Sequence, residues 1–209
     1  GTVNAGSLGD VVLTAGGAIT KANATDKITA NLLTADAAGA RTLNTAVTSV
    51  NASTSAANKD ISITNVGQTL NLGTVTSGGD LTVETNAGDI TDSGTATISG
   101  DAFFTTSANE ATIDLGSLAV AGDISLTTYS AGTGGTATIV NTTKIKFGTS
   151  TVAGNLNATA TTGDITQAGA LTVAGASTFN TLGSGKNIIL DHQANAFAGA
   201  VTLQANSGS

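Results

Sequence analysis

The chain has 209 residues, of which only 10% are charged, and it contains no proline, cysteine, methionine or tryptophan. The lack of cysteine excludes a disulfide framework and a thiolate metal site, while the net charge of −7 argues against a nucleic-acid partner, which requires a basic face. No apolar run approaches the roughly 18 residues that span a bilayer as a helix. The 27 glycines and the regularly recurring β-branched residues favour an all-β protein over a disordered chain.

A tripeptide of glycine, then Asp or Asn, then usually an aliphatic residue recurs along the chain. Each copy predicts a tight corner, because glycine tolerates positive φ and Asp or Asn hydrogen-bonds its own backbone. Short runs of Thr, Val, Ile and Leu follow most copies and predict strands. The predicted structural turn positions are Gly9, Asp10, Gly79, Asp80, Gly88, Asp89, Gly100, Asp101, Gly122, Asp123, Gly154, Asn155, Gly163 and Asp164.

The chain also repeats itself over a longer distance. Residues 70–115 align with residues 145–190 without a gap, at an offset of 75 residues. Corner glycines such as Gly79 and Gly154 coincide, and so do the apolar residues of the predicted strands, while the positions between them differ. A match of this kind indicates that geometry, rather than surface chemistry, is repeated.

Strand centres in the first long repeat follow one another at intervals of five to nine residues. Three such strands per turn give coils of about 20 residues, a length typical of solenoids. The prediction is a parallel β-solenoid of roughly ten coils, close to 50 Å long with strands stacked at about 4.8 Å. The predicted strand centres are Leu81, Ile90, Ile98, Phe104, Ile113, Leu118 and Ile124.

Three irregular tracts interrupt this pattern and predict loops that bulge from single coils: residues 35–41, 53–60 and 130–135. No shift in composition marks a domain boundary, so residues 1–209 are predicted to form one continuous solenoid segment. Because the chain begins and ends inside its own pattern, we expect it to be a piece of a longer repetitive protein.

Residues 154–181 (GNLNATATTGDITQAGALTVAGASTFNT) resemble the repeats of filamentous-haemagglutinin-like proteins, and residues 28–65 are similar to the same class. These are very long bacterial surface and secreted proteins, and the resemblance implies a right-handed parallel β-helix. The Asn-Pro-Asn motif of the family's secretion domain is absent, since the chain has no proline. The resemblance therefore implies that this segment belongs to the shaft.

Four kinds of site were weighed against the residues. His192, the only histidine, has no second His or Cys to complete a zinc site. The repeated aspartates could bind calcium, but they lack the GGxGxDxUx nonapeptide, so turn capping is the preferred interpretation. A carbohydrate-cleaving β-helix would need clustered carboxylates and aromatic platforms, and four of the five phenylalanines are expected to fill the core. The Thr-x-Thr triplets at 95–97 and 136–138 would suit ice binding only if they recurred once per coil, which they do not.

The sequence therefore predicts a structural protein without enzyme activity, with no catalytic residue, cofactor or metal. The expected function is that of a shaft or spacer in a very long extracellular or cell-surface protein of the adhesin type. Two alternatives remain: a binding module that contacts a host or other cell through side loops, and a subunit of a self-assembling extracellular filament or surface layer. The expected partners are flanking solenoid coils of the same or an identical chain, with a cell-surface ligand possible and neither nucleic acid nor membrane insertion.

Overall fold

The regular structure of the chain is entirely β. The computed structural model describes residues 1–23, 25–129 and 134–206, and in these ranges it contains 22 strands and no helix. The fold is a right-handed parallel β-helix of about nine turns, which confirms the predicted fold class with about one coil fewer than expected. Nine turns at the usual spacing of stacked strands give a rod on the order of 40 Å long.

The first five strands include the two longest of the described chain. They are β1 (Val3–Asn4), β2 (Val11–Ala15), β3 (Ile19–Thr20), β4 (Ile28–Ala37) and β5 (Arg41–Thr54).

The strands that follow are shorter and regularly spaced. In the middle of the chain they are β6 (Ile61–Asn65), β7 (Leu70–Ser77), β8 (Leu81–Thr85), β9 (Ile90–Asp92), β10 (Ala96–Ile98), β11 (Ala102–Thr106), β12 (Ile113–Val120) and β13 (Ile124–Thr127). Towards the C-terminus they are β14 (Ala137–Asn141), β15 (Ile145–Phe147), β16 (Ser150–Val152), β17 (Leu156–Ala160), β18 (Ile165–Gln167), β19 (Leu171–Val173), β20 (Ser177–Thr181), β21 (Ala196–Phe197) and β22 (Val201–Ala205).

Each coil stacks in parallel on the coil before it. Leu81 of β8 pairs with Ala102 of β11, and Ala102 pairs in turn with Ile124 of β13. Hydrogen bonds between successive corners in this part of the rod join residues 20 to 23 positions apart. The predicted coil length of about 20 residues is therefore close to the observed one, and every predicted strand centre lies in a strand.

The core is a set of aliphatic columns that run along the inside of the rod. In β8 the side chains alternate between buried and outward-facing, with Leu81, Val83 and Thr85 inside, as the period of two requires. Three phenylalanines are fully buried, namely Phe104, Phe147 and Phe179. Phe197 is partly buried against the core, while Phe103 is 38% exposed.

Two of the three predicted loops differ in the structure. Residues 35–41 do not bulge: β4 continues through Ala37, β5 begins at Arg41, and only three residues turn between them. Alanine fits here because Ala35 faces inward between Leu13 and Ala52, where the coils leave room for a small side chain. The tract 53–60 is a loop only from residue 55 onward, since β5 extends to Thr54. Of the tract 130–135, residues 130–133 lie outside the described residues.

The long sequence repeat does not return to the same face of the rod. Leu81 stacks with Ala102 and Ile124. Its repeat equivalent, Leu156, stacks instead on Ala137, which follows Ile113 and Ile90. Because 75 residues make more than three coils but fewer than four, each equivalent residue arrives one face further round the rod.

Candidate functional surfaces

A ladder of aspartates runs along one corner of the rod. Asp60 Oδ1 accepts a hydrogen bond from the Asp80 N–H at 2.9 Å, and Asp80 Oδ1 accepts one from the Asp101 N–H at 2.8 Å. Asp101 Oδ1 continues the series by accepting the Asp123 N–H at 2.7 Å. Each carboxylate therefore satisfies a backbone donor of the next coil, whereas the sequence predicted a hydrogen bond within its own turn.

The other predicted Asp and Asn positions follow the same arrangement with one exception. Asp123 Oδ1, at the end of the ladder, lies 2.9 Å from the Lys146 ammonium. The other carboxylate or amide oxygens accept from backbone N–H groups of the following coil: Asp10 from Leu32 at 3.2 Å, Asp89 from Thr112 at 2.6 Å, Asn155 from Ala176 at 2.8 Å and Asp164 from Asn187 at 2.8 Å.

The corner glycines are required by close approach between coils and not by positive φ, so the predicted reason was wrong. Among described glycines only Gly6, Gly67 and Gly185 have positive φ. A Cβ on Gly100 would contact Asp80 Oδ1 and lie 2.9 Å from a backbone carbon of the preceding corner. The same obstruction, from the coil beneath or its turn, occurs at Gly9, Gly79, Gly88, Gly122, Gly154 and Gly163.

Two buried asparagines hold neighbouring coils together, and sequence analysis did not identify them. Asn65 is fully buried, its Oδ1 accepts the Val47 N–H at 3.0 Å, and its Nδ2 donates to the Val47 carbonyl at 3.1 Å. Asn141 does the same with the N–H and carbonyl of Val120, at 2.9 and 3.1 Å. An amide can do this because it carries both a donor and an acceptor.

Asn141 also begins one of the Asn-x-Ser/Thr triplets of the sequence, but its burial removes it as a glycosylation acceptor in the folded chain.

Arg41 is a second polar residue inside the rod that the sequence did not reveal. Its side chain is 1% exposed, and its guanidinium donates to the carbonyls of Ala35 at 2.9 Å and Ala37 at 2.8 Å. Burial lowers the pKa of Arg41, and the nearby charge of Asp36 opposes that effect. These contacts close the turn between β4 and β5, where the sequence had predicted a bulging loop.

A trough of about 470 Å³ opens on the outer surface where β13 meets the following coil. It is built from outward-facing residues of β11 and β13 and from two turns of the next two coils. The lining residues are Asp101, Phe103, Asp123, Ser125, Thr127, Gly148, Thr149, Ala168 and Gly169.

The remaining candidate positions are separate from one another. His192 is exposed, and its Nδ1 accepts the Ala194 N–H at 3.2 Å. Within the described residues no three His, Asp or Glu side chains are grouped so that they could hold a metal ion. Thr97 pairs with Thr76 on one side and Ala119 on the other, so its threonine rank is interrupted.

The described part of the chain contains no helix long and apolar enough to cross a membrane.

One protein family, described as repeats of unknown function (DUF5649), matches the chain twice, at residues 58–127 and 134–204. No curated protein and no solved structure matches the chain significantly. Asn65 and Asn141 each lie seven residues after the start of a matched range, so the two buried amides occupy corresponding positions. Because the two ranges together cover more than half of the chain, the protein belongs to this family of repeats of unknown function.

Proposed function

We propose that this chain is a shaft segment, a stiff spacer within a very long extracellular or cell-surface protein of the filamentous-haemagglutinin-like kind. In this role it holds distal parts of the protein away from the cell surface and binds mainly to flanking coils, in the same chain or an identical one. The function is mechanical, and it needs no catalytic group or cofactor.

The observation that carries the proposal is the parallel pairing that joins coil to coil from β1 to β22. Backbone N–H and carbonyl groups bond along the rod axis, and the inward side chains form one core cluster from Val11 to Phe179. Every coil therefore contacts its neighbours over its whole circumference, which favours a rod that resists bending.

A replacement experiment in the native long protein tests this proposal. Residues 58–204 are exchanged either for an unrelated parallel β-solenoid with the same number of coils or for a Gly/Ser linker with the same number of residues. Electron microscopy with labels on both sides of the exchange measures the distance between them, and antibody binding measures display of the distal part.

A spacer predicts that the unrelated solenoid keeps the mean distance and the display, because only length and stiffness matter. The Gly/Ser linker is expected to broaden the distance distribution, since such linkers behave as flexible coils. If the unrelated solenoid keeps the distance but abolishes the protein's attachment to its target, side chains of this segment bind the target and the spacer role is wrong.

A further inference from the structure

The charge of the molecule is concentrated in one of the two family repeats. Residues 58–127 contain nine acidic residues and one lysine, a net charge of −8. Residues 134–204 contain two acidic residues and three lysines, a net charge of +1 with His192 neutral. The field around the first repeat therefore attracts cations.

The trough lies where this acidic repeat meets the next coil. Its irregular shape follows from the pairing of β13, which makes one bridge to β15, between Ile124 and Phe147, and one to β16, between Thr127 and Thr151. Gly148 lies between those bridges, and a Cβ there would contact Ser125 Oγ. A turn thus covers part of what is a flat sheet face in the preceding coils.

Phe103 supplies an aromatic surface in the trough. It is 38% exposed and pairs in register with Ser125 of the next coil. Asp101 and Asp123, each two residues before one of this pair, line the same trough. The other large aromatic side chains of β11, β15 and β20 point inward and are fully buried, so Phe103 departs from the rule that otherwise governs these strands.

The chain itself places an ammonium group at the edge of this site. Lys146 Nζ lies 2.9 Å from Asp123 Oδ1. The hydrogen bond and charge of Asp123 raise the pKa of Lys146, and the charge of Asp101 raises it further. Both carboxylates therefore favour a positive charge beside the trough.

We propose that the trough binds an organic ammonium group, with its charge near Asp101 and Asp123 and its alkyl chain against Phe103. An aromatic face next to carboxylates is a recognised environment for such cations, and about 470 Å³ is in the usual range for small-molecule sites. The group belongs either to a free diamine or to a lysine side chain of another protein. This inference does not depend on the spacer role.

The test is a titration of the full chain with cadaverine (1,5-diaminopentane), followed by amide chemical shifts at constant ionic strength. The site predicts shifts confined to the trough, at Phe103, Ser125 and Gly148. Phe103→Leu should weaken binding about threefold to tenfold, because the apolar contact remains while the aromatic face is lost.

A matched pair of charge variants separates a site from a general electrostatic effect. Asp101→Asn keeps the Oδ1 that accepts the Asp123 N–H but removes a charge from the trough. Glu110→Gln removes one charge from the same repeat, at a residue that does not line the trough. Weaker binding in Asp101→Asn than in Glu110→Gln supports the site, whereas equal affinities, or shifts spread over the acidic repeat, overturn it.

A second titration identifies the source of the ammonium group. A short peptide with one lysine, compared with its Nζ-acetylated form, reports on a protein partner. Trough shifts with the unmodified peptide alone indicate a lysine side chain, and shifts with cadaverine but neither peptide indicate a free amine. Absence of trough shifts with cadaverine and with both peptides contradicts the proposal.

Discussion

Residues 58–127 and 134–204 use the same corner glycines and the same buried asparagine, yet their surfaces differ. Asp80 at a corner of the first repeat corresponds to Asn155 in the second, and Asp101 corresponds to Ala176. Asn155 still accepts the backbone N–H of the next coil, at 2.8 Å, as Asp80 does. The corner therefore requires an acceptor oxygen but not a charge.

This difference explains how one repeat can be strongly acidic and the other nearly neutral within the same rod. Inward residues and corners are constrained by the coil above and the coil below, because the interior is close-packed. Outward side chains lack that constraint, so their charge can vary without a change of fold. Four predictions test how far the two repeats are equivalent.

The largest effect is expected from the buried phenylalanines. Phe104→Ala should lower the free energy of unfolding by about 3–5 kcal/mol, as is usual for a large buried side chain. Phe179→Ala should cost about 0.5–1.5 kcal/mol more, because Phe179 also makes edge-to-face contacts with Phe147 and Phe197, at centroid distances of 5.9 and 6.1 Å. Urea unfolding followed by circular dichroism measures both, and equal losses would show that the ring contacts contribute nothing.

The buried asparagines come next. Asn65→Ala and Asn141→Ala should each cost about 2–3 kcal/mol, because each leaves a buried N–H and a buried carbonyl of the preceding coil without a partner. Asn157→Ala, at an exposed position of β17, is the matched control and should change stability by less than about 0.5 kcal/mol. A loss in only one repeat would mean that the two amides are not equivalent.

The corner glycines should have a smaller and equal effect in both repeats. Gly100→Ala and its equivalent Gly175→Ala should each cost about 1–3 kcal/mol, since the added methyl group meets an Asp or Asn oxygen and the backbone of the coil beneath. Gly116→Ala is the control, because the only close atom there is Asp92 Oδ1 at 3.9 Å. The same urea measurement applies, and a destabilised Gly116→Ala would contradict the close-approach explanation.

The smallest effect concerns the exposed ion pair at the junction of the two repeats. Asp123 raises the pKa of Lys146 above its ordinary value of 10.5, so the folded state holds this proton more tightly than the unfolded state. The pair's contribution is therefore complete below pH 10.5 and is lost as pH rises through the higher folded-state pKa.

Unfolding measured as a function of pH tests this behaviour. Lys146→Gln should be less stable than the natural chain at neutral pH, with the difference shrinking above pH 10.5. Lys146→Arg is the control, because arginine stays protonated over this range and should keep the pair intact. A Lys146→Gln difference that persists unchanged at high pH would show that the ion pair is not its cause.

Much of the fold was accessible from the sequence because it depends on local rules. The alternation in Leu81–Thr85 predicted which side chains point inward, and each predicted strand centre lies in a strand. The tract 35–41 was misassigned because an alanine-rich run carries little strand preference, and its burial depends on Leu13 and Ala52 in other coils. The candidate trough could not be foreseen, since its lining residues come from four successive coils.

By itself, the sequence determined the corners, the inward columns, the parallel solenoid and the near-equivalence of the two repeats. Only the tertiary structure decided on which face each residue lies, because the coils are 20 to 23 residues long in the middle of the rod and the repeat of 75 residues is not a whole number of them. For that reason Leu156 stacks below Ile90 and not below Leu81. The same mismatch brings a flat sheet face and a turn together beside Phe103, where the trough forms.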